Sequence, residues 1–507
     1  MSDAIFDQGP PPPCPDPFNL AAHVLRHADA LADKPALVIA GDTPETWSYG
    51  ALQDAVLGTA TGLINMGLRP GDTVLMRLGN TVDFPIAYLA ALAVDLVPVP
   101  TSSALTEAEV AHILATLQPK AILRAPDVAC PNAANLISSE TLRSWRTCPK
   151  ATYRLGDPER LGYVIYTSGT SGTPRAVAHA HRAIWARQMM MDGWYGLSAR
   201  DRLLHAGAFN WTYTLGTGLM DPWTQGATAI IPQTGTKPAE LPNLLAKEDV
   251  TIFAAAPGVY RQMLRASMPK VPHLRHGLSA GEKLPQSVVT AWHDATGRAV
   301  YEAYGMSECS TFISASPSHP AQGTSFGRPQ IGRRIAILAE DGIAQADAPG
   351  IIAIHSSDQG LMRGYLHTDD PFDGRLQGGW FLTGDTGAMS KDGDVTYLGR
   401  ADDMMNAGGF RVSPLEVETA LSGFPTIQAV GAAEVSVGQD KSIIAAFYTA
   451  PKALQSQELE AYLSDKLAHY KRPRAFVHLA ALPAGGNGKL ARRKLKDIWK
   501  DLDHGDH

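Results

Sequence analysis

The chain reads as an α/β protein: a large N-terminal domain of layered α/β subdomains with a small β-rich part, then a small, mobile α+β C-terminal domain. Three observations predict this. Short apolar, β-branched runs alternate with helical patterns from Asn19 onward, the rhythm of largely parallel sheets. From Gly323 to Gly399 the runs shorten and Gly/Asp turns separate them. From Asp402 to His507 strands and helices alternate again, over a stretch large enough to fold alone. A chain of 507 residues exceeds what one core supports, and the expected domains are 1–401 and 402–507.

In order, Leu20 to Leu31 has helical periodicity and Pro35 to Ala40 reads as a strand. Ser48 to Met66 reads as a helix with a serine N-cap. A turn at Arg69-Pro-Gly-Asp72 precedes the strand Thr73 to Met76, and Thr106 with Glu109 forms a capping box for a helix to Leu117. Further on, Asp201–His205, Ala227–Ile231, Thr251–Ala255, Leu278–Glu282 and Ala299–Tyr304 read as strands. Thr217–Thr224 and Glu240–Glu248 read as helices among them.

Composition narrows the function classes. Hydrophobic content of 45%, charged content of 19% and a net charge of −6 describe an ordinary soluble globular protein and give no reason to expect nucleic acid as partner. The four cysteines show neither C-x-x-C spacing nor disulfide density, which suits a reducing cytosol and a cytoplasmic location. The acidic, proline-rich start MSDAIFDQGPPPPCPDPF lacks a signal peptide's basic and apolar regions and predicts a surface-hugging or disordered tail. The apolar run Phe84 to Pro100, broken by Asp95, is too short to span a bilayer.

The organising stretch is Gly162 to Val177. An apolar run, Gly162-Tyr-Val-Ile-Tyr166, predicts a buried strand, and from Val177 the chain reads as a helix. Between them lie Thr167, Ser168, Gly169, Thr170, Ser171, Gly172, Thr173, Pro174 and Arg175. Glycines let backbone approach a ligand closely, while consecutive N–H groups and hydroxyls suit phosphate oxygens. Arg175 adds a cation able to bind an anion through two nitrogens. The G-x-x-x-x-G-K-[ST] spacing of a P-loop NTPase is absent.

Strand, Y-T-S-G-T-S-G-T-P-R, helix resembles the phosphate loop of the adenylate-forming superfamily of acyl-CoA synthetases, adenylation domains and luciferases. This chain carries Arg175 for the usual lysine and Ala176 for the usual glycine. Five more motifs follow in the family's order. Tyr304-Gly-Met-Ser307-Glu308 resembles the metal-ligand motif: Glu308, after a predicted strand, is placed to hold Mg²⁺ through oxygen. Thr383-Gly-Asp385 offers a carboxylate to both ribose hydroxyls. Gly399-Arg400-Ala-Asp402, after a turn at Lys391–Asp394, implies a ribose or phosphate contact at Arg400 and a hinge at Asp402. Ala407-Gly408-Gly409 resembles the strand lining a pantetheine tunnel, and Lys489, in Gly485-Gly-Asn-Gly-Lys489, the catalytic lysine.

The resemblance further implies an adenine site of Ala280, Gly281 and Glu282 facing Glu302, Ala303 and Tyr304. Thr170 joins Lys489 and Glu308 as catalytic, and an acyl pocket takes Phe209, Asn210, Trp211, Tyr213, Gly305, Met306 and Phe312. Asn210 stands where amino-acid-activating domains commonly hold Asp, which weighs against an amino-acid substrate. The implied function is an AMP-forming acid–thiol ligase using ATP, Mg²⁺ and coenzyme A on an aryl or short-to-medium-chain acid, closest in style to benzoate-type ligases. Alternatives are a stand-alone adenylation domain loading a carrier protein and a non-catalytic nucleotide-binding homologue. The expected partners are these small molecules; a homodimer is left open. His179 and His181, two apart on the predicted helix, are poor joint metal ligands, Cys309 reads as a buried thiol and Met189–Met191 as packing.

Overall fold

The computed structural model describes residues 2–167, 175–401, 403–407, 410–437, 442–464, 466–467, 469–484 and 490–503. By contact it divides into a larger unit, Phe6–Arg334 with Ile354–Phe381, and a smaller one, Met1–Ile5, Ile335–Ala353 and Leu382–His507.

The larger unit is built on a nine-stranded sheet. Its centre is parallel, running Val300–Met306, His276–Ala280, Ile252–Ala255, Arg202–His205, Thr228–Pro232 and Pro35–Ala40. Antiparallel strands finish both edges: Ser310–Ser314 and Arg328–Pro329 on one side, Glu45–Ser48 on the other. Central strands are covered on both faces, which is why Ile252-Phe-Ala-Ala255 is apolar without alternation and wholly buried. Against it Phe253, Tyr260 and Trp292 pack with no exposure, a full burial of about 3 kcal/mol for a side chain such as phenylalanine.

A second, parallel sheet runs Val97–Pro100, Thr73–Arg77, Ala121–Arg124, Leu136–Ser138. The apolar run from Phe84 resolves into the helix Asp83–Ala93, buried along its whole length, and the strand Val97–Pro100. Ser48 caps Tyr49–Asn65, and the Thr106–Glu109 capping box opens Glu107–Leu117, both as predicted. The first helix is shorter than its periodicity suggested, Leu20–Val24, with turns following. The N-terminal tail lies on the protein: Trp185 Nε1 donates to the Pro12 carbonyl at 2.9 Å.

One sequence expectation fails at the centre. The segment after the phosphate-loop candidate is a strand, Arg175–Ala180, paired antiparallel with Leu161–Thr167 and flanked on its other edge by Gly364–Tyr365. Its alanines are helix formers, but the open edges of two neighbouring strands supply hydrogen bonds along both sides, and Ala176 to Ala180 are all buried. No helix therefore follows directly on the loop. His179 and His181 are correspondingly not on a helix. Each is buried with its own partner: His179 Nε2 bonds the Ser307 carbonyl at 2.8 Å, and Leu20 N–H donates to His181 Nδ1 at 3.1 Å.

The smaller unit has two parts. In one, Trp380–Met389 and Val395–Arg400 form a hairpin beside Gly350–His355 and Arg334–Ala339. In the other, Ser442–Thr449 lies between antiparallel Ala429–Ser436 and parallel Ala475–His478. Alternation sends Ala432, Ile444 and Ala446 to one face, against Val417, Leu421, Leu459 and Leu463. The opposite residues Ala433, Ala445 and Phe447 meet Leu495 of the helix Arg492–Asp503. Arg492 is drawn to Glu418 at 2.7 Å, and although burial pushes the Glu418 carboxyl up, this cation opposes it.

Candidate active site

The mouth of the phosphate-loop candidate is a cross-strand pair, Thr167 opposite Arg175. Ser168, Gly169, Thr170, Ser171, Gly172 and Thr173 lie outside the described residues, as do Asp402, Gly409 and Lys489. Arg175 pairs with Asp373 at 2.7 Å, and its guanidinium sits 5.1 Å from the centre of the Tyr365 ring. Tyr365 donates its hydroxyl to Glu308 Oε1 at 2.6 Å, and Arg375 donates to the same oxygen at 3.3 Å and to the Tyr365 oxygen at 2.7 Å. Burial, then the neighbouring Glu308 charge, pushes the Tyr365 phenol up to about 12, so it stays a donor at neutral pH. The segment 362–365 is fastened to this spot: Met362 N–H donates to the Glu308 carbonyl at 2.7 Å, and Tyr365 pairs with Val177.

The adenine-site candidates do converge. Ser279 and Ala280, at the carboxyl end of their strand, run beside Glu302 and Ala303 of the neighbouring parallel strand, and open α/β sheets bind ligands at such ends. Gly281, with φ +99, leaves open space where a side chain would stand. Glu302 is spoken for internally: Lys283 Nζ approaches at 2.7 Å and Leu284 N–H at 2.6 Å. Burial raises its carboxyl, with Lys283 pulling the other way. Glu282 is half-buried beside it, and Tyr304 packs edge-on against Phe312 at 5.2 Å. Gly305 is required by close approach, since a Cβ there would lie 2.2 Å from the Ser310 carbonyl oxygen.

The acyl-pocket candidates are mostly engaged in packing. Phe209 is core, packed 5.5 Å from Phe84, and Phe312 has no exposure. Tyr213 stacks on Trp194 and meets His205 edge-on at 4.5 Å. Asn210, Trp211 and Met306 are half-buried. A cavity nearby is lined instead by Tyr88, Tyr163, His179, Arg187, Gly216 and Ser310, with Ser307, Thr212 and aliphatic side chains completing it. Arg187 does not charge this cavity. Asp221 takes it in two contacts, 2.8 Å to Nε and 2.6 Å to Nη2, Tyr195 donates to the same carboxylate at 2.7 Å, and Arg187 Nη1 donates to Ser310 Oγ. The Gly216–Met220 segment widens into a π-turn, a frequent feature of functional sites. Gly216 lets the guanidinium come close, its Cβ position being 2.2 Å from Arg187 Nη2. Tyr163 and Arg187 carry no local motif; only the packing of strand, π-turn and the Ser307–Ser310 loop puts them together.

In the smaller unit, Asp385 and Arg400 are a cross-strand pair of the hairpin. Arg400 Nη1 stands 3.4 Å from Asp385 Oδ1, Tyr397 donates to that oxygen at 3.3 Å, and the Asp385 N–H bonds Thr383 Oγ1 at 3.1 Å. Gly384, at φ +76, takes a left-handed backbone conformation that favours glycine.

Among the described residues no three His, Cys, Asp or Glu side chains group to hold a metal. Glu308, an oxygen donor, suits a hard cation that takes one carboxylate with phosphate oxygens supplying the rest, as Mg²⁺ does in phosphoryl-handling sites. No helix among the described residues is long and apolar enough to cross a membrane. Cys309 has no exposure, and burial raises its thiol well above the ordinary range, so it is no nucleophile. Met190 and Met191 are core.

The chain is similar to a 3-hydroxybenzoate–CoA ligase of Aromatoleum sp. (strain CIB), 27% identical with 93% of this chain and 95% of the relative covered. A mitochondrial acyl-coenzyme A synthetase of Homo sapiens is also 27% identical, over 86% of this chain and 80% of that one. Among solved structures, a benzoate CoA ligase from Burkholderia xenovorans LB400 superposes with a TM-score of 0.84 at 25% identity, covering 94% of this chain and 100% of its own. The model of the AMP-binding enzyme family matches residues 24–366, and that of the AMP-binding enzyme C-terminal domain matches residues 416–489. Loop, motif order, fold and family model agree: the chain belongs to the AMP-binding enzyme family, the adenylate-forming superfamily.

Proposed function

We propose that this enzyme is an AMP-forming acyl-CoA ligase whose acid is aromatic. A carboxylate attacks the α-phosphorus of ATP, pyrophosphate leaves, and the resulting acyl-adenylate passes its acyl group to the coenzyme A thiol, releasing AMP. The observation that carries this reading is local. Ser307 and Ser310 line the cavity while Glu308, between them in sequence, faces Tyr365 and Arg375 near the loop mouth. An acid seated in that cavity therefore lies next to the groups that handle phosphate. Mg²⁺ at Glu308 would offset the charge of the leaving pyrophosphate. Tyr365 and Arg375 hold the carboxylate that binds it, and Arg175 offers a cation at the loop end. The aromatic walls at Tyr88 and Tyr163, beside a neutralised Arg187–Asp221 pair, suit a flat uncharged ring. Relatives named for hydroxybenzoate and benzoate support the same class.

The remaining assignments rest on the family motifs. Ala280, Gly281, Glu282, Glu302, Ala303 and Tyr304 take adenine, Asp385 and Arg400 take ribose and phosphate, and Lys489 meets charge developing at the α-phosphate during adenylation. Residues 402–507 form the mobile domain, with Asp402 as hinge and Gly409 on the thiol path, so one site serves two transition states in turn. A second reading, a medium-chain aliphatic acid, is favoured by Leu20, Ile184, Leu215 and Met220 in the cavity wall.

The test is pyrophosphate release across aryl, alicyclic and linear acids, followed by AMP release with coenzyme A or an acyl carrier protein as acceptor. Aryl-dependent release with coenzyme A supports the proposal. Lys489→Ala should cut acid-dependent release by about 10²- to 10³-fold. A wild type inert towards every acid would make it a nucleotide-binding homologue instead.

A further inference from the structure

His179 carries an acceptor that none of the described residues uses. Its Nε2 is 2.8 Å from the Ser307 carbonyl oxygen, and a carbonyl only accepts, so Nε2 holds the proton. The neutral ring then leaves a bare lone pair on Nδ1. Burial lowers the imidazole pKa to about 4, which keeps that tautomer neutral at physiological pH. Nδ1 is buried and without a hydrogen-bond partner among the described residues, and the side chain is 2% exposed. The ring lines the cavity and is pinned flat against Tyr163, centroids 4.9 Å apart and planes 17° from parallel. Stacking on one side and the Ser307 bond on another stop it from turning to find a partner. Its charged neighbour Arg187 is already committed to Asp221 and Ser310.

An unmet acceptor on a ring that lines an aromatic cavity sets a preference among ligands able to reach it. A hydroxyl or amino hydrogen would complete it, a methyl group would leave it unmet, and a methoxy oxygen would set lone pair against lone pair. Resting on the reading of this cavity as the acyl site, we propose that His179 is a specificity residue and that the substrate is an aryl acid bearing a hydroxyl or amino substituent.

The experiment compares benzoate with its hydroxy, amino, methyl and methoxy derivatives at each ring position, by kcat/KM for pyrophosphate release. At one position the hydroxy or amino acid should exceed its methyl and methoxy counterparts by about 10- to 100-fold. His179→Phe keeps the stacked ring but removes Nδ1, and should shrink that gap to within about threefold. A loss shared equally by all the acids would be the effect of the broken Ser307 bond alone and would overturn the proposal. So would a wild type that treats donor and methyl acids alike at every position, a result that decides the matter even if the variant fails to fold. Donor-blind activity on aryl acids overturns this proposal and leaves the aryl-acid reading intact; activity confined to linear acids overturns this proposal and the aryl-acid reading together, though not ligase activity itself.

Discussion

Two trios of the same chemistry stand in this protein, one in each unit. Glu308 accepts from Tyr365 and Arg375, and Asp385 from Tyr397 and Arg400. They differ in how they are made. The second is a single hairpin: its residues fall within one turn's reach in sequence and meet because Trp380–Met389 pairs with Val395–Arg400. The first gathers residues from a strand-end loop and from a distant segment fastened beside it. The distances differ in step, 2.6 Å from Tyr365 to its carboxylate against 3.3 Å from Tyr397. Assembly from remote segments costs more loop-closure entropy than a hairpin does. On the proposed roles, a metal-binding carboxylate at Glu308 would gain from being held tightly, whereas a ribose-binding one at Asp385 would exchange its partners for the ligand.

That contrast can be broken by substitution. Glu308→Gln should give the largest effect, lowering kcat for pyrophosphate release at saturating acid about 10²- to 10³-fold, with a steeper Mg²⁺ requirement. An unaltered Mg²⁺ titration would remove Glu308 from the metal site. Asp385→Asn should act mainly on nucleotide, raising KM for ATP about 10- to 30-fold with a smaller change in kcat, since it loses charge-assisted hydrogen bonds. The smallest effects sharpen the comparison most. Tyr365→Phe should slow adenylation about 5- to 10-fold, and Tyr397→Phe no more than about threefold. Equal losses at the two tyrosines would mean that the two trios do the same work and that the shorter contact has no consequence.

The same distinction explains what could be read in advance. Asp385 and Arg400 were legible because a hairpin leaves its signature in adjacent sequence: a strand, Lys391-Asp-Gly-Asp394 as turn, and a second strand. Glu308 was legible as a motif, but its partners Tyr365 and Arg375 were not. Phe209, Tyr213 and Phe312 were expected around the acid; their ring contacts with Phe84, Trp194 and Tyr304 were not legible, because an aromatic residue in a segment cannot announce which way it faces. The helix expected after Val177 failed for a related reason: its alanines favour helix, and only the two neighbouring strand edges made it a strand.

By itself the sequence determined the chemistry on offer: the loop composition, the order of five motifs, the alternation that lays down parallel sheets. These are local properties, carried by spacing and residue type. Tertiary structure alone decided which side chains share the cavity, placing Tyr163, His179, Arg187 and Ser310 together. It also set His179's tautomer through the Ser307 carbonyl. Such contacts join segments far apart in the chain, where no periodicity or motif records them, and they exist only once the sheets have packed.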